Sequence, residues 1–133
     1  MTTYGATIVD SDGNPPAYGD DAEIVRTITG LVASQTISKA WFTVKNKFAD
    51  LDADAVLQIE IDDTPELWGQ VTDEGSGETT GEITFIVTGA SYDDLRPVQV
   101  YVYDIQILLS DGVINTVERG TVYWPRQVTV TRS

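Results

Sequence analysis

The chain has 133 residues, enough for one domain (1–133) that buries roughly two thirds of the surface its unfolded form exposes. With 41% hydrophobic and 22% charged residues it has globular composition, and no apolar run approaches the ~18 residues that cross a bilayer as a helix. A net charge of −13 disfavours phosphate backbones and anionic headgroups as partners. The absence of histidine and cysteine removes the commonest acid–base group, the usual zinc ligands, thiolate chemistry and disulfides.

The dominant pattern along the chain has period two, the signature of half-buried strands. TIVD (7–10) and EIVRTIT (23–29) read as short strands joined by the turn-rich SDGNPPAYGDD. AWFTVKN places Ala40, Phe42 and Val44 on one face, with Trp41, Thr43 and Lys45 on the other. AVLQIEI turns Ala55, Leu57, Ile59 and Ile61 inward and Gln58 and Glu60 outward. Residues 62–81 read as an acidic, glycine-rich connection without a strand, and ITFIVT that follows puts Ile83, Phe85 and Val87 on one face. ASYDDLRP (90–97) has room for one helical turn.

QVYVYDIQILL is the longest candidate, with Tyr101, Tyr103, Ile105, Ile107 and Leu109 in one stripe. Ser110-Asp111-Gly112 predicts a tight hairpin into VINTVERGTVYW, because Asp-Gly supplies a positive φ. A change of phase around Gly120 predicts a β-bulge there. Pro125 interrupts the ladder before RQVTVTR, read as the last strand. Seven to eight strands with turns between them, and no long window of helical period, predict an antiparallel immunoglobulin-like β-sandwich.

Asp50, Asp52 and Asp54 alternate like the first ligands of a helix–loop–helix calcium loop. Position six of such a loop would be Ala55, not glycine, and position twelve Ile61, not glutamate, so that motif is rejected. A looser calcium site with Asp62 or Asp63 is the alternative to a solvated hairpin tip. Asp104 and Glu118 are the only carboxylates within long strands, but nothing in the sequence arranges them around a substrate. The expectation is a non-enzymatic protein with no catalytic residue, cofactor or metal.

Tryptophan gives the more useful signal. Trp41 lies on the non-core face of its strand beside Lys39 and Lys45, and Trp68 lies in the acidic connection. Each either covers a core edge or makes contact with a partner, since tryptophan is enriched where interfaces concentrate binding energy. Lys39, Trp41, Lys45 and Trp68 are therefore the candidate interface residues. A basic strip on one copy meeting the acidic surface of the next would steer self-assembly.

WFTVKNKFADLDADAVLQIEI resembles the strand, Asp/Ala-rich connection and strand of small phage-tail β-sandwich modules. YVYDIQILLSDGVINTVERGTVYWPRQVTVTR resembles their closing hairpin, with its Tyr-Asp-Ile-Gln strand, Asp-Gly turn, mid-strand glycine and terminal Val-Thr-Arg. The family is the N-terminal domain of phage baseplate upper proteins and related tail proteins, and the resemblance covers roughly residues 23–62 and 98–132. It implies a virion structural module, assembled in the host cytoplasm, that docks to other virion proteins and to copies of itself as a homo-oligomer. It gives the aspartates around residue 52 no metal role. The alternative expectation is a carbohydrate-binding sandwich that uses an exposed tryptophan as a sugar-stacking platform.

Overall fold

Alternation of buried and exposed residues builds two packed sheets. The computed structural model describes residues 3–7, 22–32, 34–51, 54–88 and 99–123. Its strands are β1 (Thr3–Thr7), β2 (Ala22–Thr29), β3 (Ile37–Lys45), β4 (Leu57–Ile61), β5 (Gly69–Asp73), β6 (Thr80–Val87), β7 (Tyr101–Leu109) and β8 (Ile114–Val122). One sheet runs β1-β8-β7-β3-β4 and the other β2-β6-β5. Seven strands are antiparallel, and the order of β2-β6-β5 against β8-β7-β3-β4 is that of an immunoglobulin-type sandwich. β1 departs from the antiparallel expectation by pairing in parallel with β8.

The core lies where the two inner faces meet. Phe42 of β3 stands between Phe85 of β6 and Tyr103 of β7, with ring centroids 5.7 and 5.8 Å apart in tilted contact. Ile24, Ile83, Ile105 and Ile107 pack around them, all essentially without solvent exposure. β-branched and aromatic residues hold these positions because the pleated surface suits their restricted χ1.

Three local features differ from the sequence expectation. β5 lies inside the stretch read as a plain connection, paired with β6 through Gly69↔Phe85, Gln70↔Thr84 and Val71↔Ile83. Only Val71 gives this short edge strand a buried apolar side chain, so its alternation is too brief to stand out. The bulge in β8 is at Val117, because Ile105 pairs with Glu118 while Gln106 pairs with Thr116. Gly120 is in register opposite Tyr103. A second irregularity at Ser38 of β3 turns both Ile37 and Ala40 inward although they are three residues apart.

The expected β7–β8 hairpin is present with a three-residue loop. Gly112 N–H donates to Leu109 O (2.9 Å), Leu109 N–H donates to Val113 O (2.9 Å), and Gly112 has φ +88°. The Gln35 amide donates to Asp111 Oδ2 at 3.0 Å and Val113 N–H to its Oδ1 at 3.1 Å, holding the Asp111 carboxyl below the usual carboxylate range. The first strand begins earlier than expected, at Thr3. Residues 8–21, the helical turn at 90–97, Trp124 and the last strand after Pro125 lie outside the described residues.

Candidate functional site

The outer face of the five-stranded sheet follows from strand register. Trp41 pairs with Glu60 on β4 and Gln106 on β7, and Gln106 pairs with Thr116 on β8. One row further along, Gln58, Thr43, Asp104 and Arg119 lie side by side. These residues alternate with the buried Ala40, Phe42, Val44, Tyr103 and Ile105, so they form the face turned away from the core, where Thr43 is itself covered.

A groove of about 290 Å³ opens on this face, lined by Trp41, Gln58, Gln106 and Ile114. Gln58 Nε2 donates to Thr43 Oγ1 (3.2 Å) and Gln106 Nε2 to Thr116 Oγ1 (3.3 Å). Sequence reasoning missed Gln58, Gln106 and Ile114 as site residues. Their outward parity was readable, but only the register between strands distant in sequence shows that they flank Trp41.

Three of the four sequence candidates meet at Glu60. Trp41 Nε1 donates to Glu60 Oε1 at 2.9 Å, Lys39 Nζ lies 3.6 Å from the same oxygen, and Trp68 Nε1 donates to the Glu60 backbone carbonyl at 2.9 Å. The indole of Trp68 is thus fixed against the edge strand β4, where it remains 44% exposed beside Leu67 at 81%.

Lys45 is not part of this group. Its side chain is buried and its Nζ donates to Asp50 O at 2.9 Å, because the β3–β4 connection folds back over this end of the face. The same connection places the Phe48 ring 4.2 Å from the Arg119 guanidinium carbon, a cation–π contact, while Gln99 Nε2 donates to Asn46 Oδ1. With Lys45 covered and Lys39 beside Glu60, the expected basic strip is not a free electrostatic surface. Asp50 closes its own turn, its Oδ2 accepting from Lys47 N–H at 3.1 Å. Asp52 lies outside the described residues, among which no group of three or more acidic side chains is arranged to hold a metal ion.

Asp104 and Glu118 lie on opposite faces of the sheet. Asp104 is in the outer row, whereas Glu118 reaches inward to Arg26 (2.8 Å) and the Tyr103 hydroxyl (2.5 Å). Burial first, then the hydrogen bond to Glu118 and its charge, push the Tyr103 phenol well above its ordinary value. These two carboxylates do not form a pair around a common cleft.

Charge is distributed unevenly between the two outer faces. That of the five-stranded sheet carries Lys39, Lys45 and Arg119 against Glu60 and Asp104, close to neutral in a chain of net −13. That of the three-stranded sheet carries Glu23, Asp73 and Glu82 with no cation among its described residues. In comparisons with known proteins, no family model and no curated sequence matches the chain.

Proposed function

We propose that the protein is a non-enzymatic contact module, a virion structural component of phage tail or baseplate type that binds other virion proteins and copies of itself. The observation that carries the contact reading is the Leu67–Trp68 turn: two large apolar side chains, both exposed, the indole held in place by the Trp68–Glu60 hydrogen bond. A fixed aromatic anchor loses little conformational freedom on binding, the property of residues that dominate interface energetics. The virion setting rests on the resemblance of the Trp41–Ile61 and Tyr101–Arg132 stretches to tail sandwich modules.

Light scattering coupled to size exclusion, at low and physiological salt, tests the reading. A discrete multimer of the 14.5 kDa chain is expected. Leu67→Ser combined with Trp68→Ala should reduce it to monomer without changing the β-sheet circular dichroism. A multimer untouched by both substitutions would place the interface elsewhere, and a monomer at every concentration would count against self-assembly.

A further inference from the structure

We propose that the groove lined by Trp41, Gln58, Gln106 and Ile114 is a binding site for a neutral saccharide. The inference is independent of the assembly reading, which uses the Leu67–Trp68 turn at the sheet edge.

The chemistry of the lining carries the assignment. Among the described residues the walls are one indole, two primary amides and one aliphatic side chain, none of them charged. A pyranose presents an apolar C–H face that packs on an aromatic ring and a rim of hydroxyls that both donate and accept hydrogen bonds. Each amide uses one Nε2–H toward a neighbouring threonine, and its Oε1 accepts no hydrogen bond among the described residues. Both amides therefore retain an acceptor and a second donor, the combination that a hydroxyl pair satisfies. An apolar protein side chain over the same groove would bury those amide atoms without partners, which is unfavourable.

Charge narrows the class. A chain of net −13 repels polyanions at a distance, and the nearby Lys39 ammonium already lies beside Glu60. A neutral ligand incurs no such penalty. The site is also preorganised: Trp41 is tied to Glu60, and the groove rests on β3 and β7, which are paired on both sides. At about 290 Å³ the groove is at the small end of ligand sites and suits a short stretch of sugar rather than a large glycan.

The test is a panel of immobilised neutral oligosaccharides built from glucose, galactose, mannose and N-acetylhexosamines, with sialylated and sulfated glycans as acidic counterparts. Retention on at least one neutral class is expected. Trp41→Ala should weaken it by about tenfold or more, the loss of one aromatic platform. Gln58→Ala, at an exposed position on an edge strand, should weaken it in a chain that folds normally even if Trp41→Ala does not. Trp68→Ala should leave it unchanged. No retention on any neutral glycan, retention that survives Trp41→Ala and Gln58→Ala, or preference for the acidic glycans would overturn the proposal. So would a fall in oligomeric mass on Trp41→Ala, since it would make this face a protein interface.

Discussion

Arg26 of β2 and Glu118 of β8 form an ion pair across the two sheets, Nε donating to Oε1 at 2.8 Å with both side chains largely removed from solvent. The other Glu118 oxygen accepts the Tyr103 hydroxyl, and Arg26 Nη1 donates to Val25 O at 3.0 Å. The three side chains close one side of the sandwich as a single hydrogen-bonded unit.

Removing Glu118 leaves the Tyr103 hydroxyl without its acceptor and Arg26 with only the Val25 carbonyl in a partly desolvated site. Glu118→Ala is expected to cost about 2–3 kcal/mol, measured as a shift of the urea midpoint at unchanged slope. Replacing both ion-pair partners, Arg26→Met with Glu118→Leu, should cost less than Glu118→Ala alone, because no buried charge is then left unpaired.

The same unit is expected to make stability fall in alkali. The folded phenol of Tyr103 has a pKa raised above its ordinary value of 10.0, so its contribution is fully present below that pH. It is lost as pH rises beyond it, at about 1.4 kcal/mol per pH unit for one group. Denaturant midpoints between pH 8 and pH 11 should decline more steeply for the wild type than for Tyr103→Phe. Parallel curves would show that Tyr103 does not carry the effect.

Two glycines separate backbone strain from steric exclusion. Gly112 has φ +88° and open space where a Cβ would stand, so Gly112→Ala should cost about 1 kcal/mol from conformation alone. At Gly69, φ is +133° and a Cβ would lie 2.1 Å from Thr84 O, so Gly69→Ala should cost about 3 kcal/mol or more. Thermal melts of the two variants should fall in that order.

The two lysines of β3 should respond differently despite their likeness in sequence. Lys39→Ala removes a half-exposed pair and should change stability by less than about 0.5 kcal/mol. Lys45→Ala removes a buried stem and the donor to Asp50 O, and should cost about 1–2 kcal/mol. Equal effects in chemical denaturation would contradict the burial of Lys45.

Alternation identified the faces of β3, β6 and β7 from sequence because each carries several apolar residues two apart, and the Asp111-Gly112 turn paired β7 with β8. β5 escaped because one valine among polar neighbours makes no period. Glu118 could not be placed: its inward direction depends on Arg26, 92 positions away, and on a bulge at Val117 where the sequence pattern pointed to Gly120. The candidate site was half legible. Trp41 and Lys39 were readable from parity, and Trp68 from its loop, but their meeting at Glu60 depends on register. Lys45 shares the parity of Trp41 and yet is covered, because a connection of the chain folds over that end of the sheet.

The hydrogen bond from Trp68 to the carbonyl of Glu60 also bears on the edge that β4 presents. Among the described residues β4 is the last strand of its sheet, and an uncovered last strand is a template: each strand that adds presents a new one, without end. Here an acceptor in the middle of that template is already occupied by an indole of the same chain. A strand added along this edge would meet that occupied acceptor at its first step.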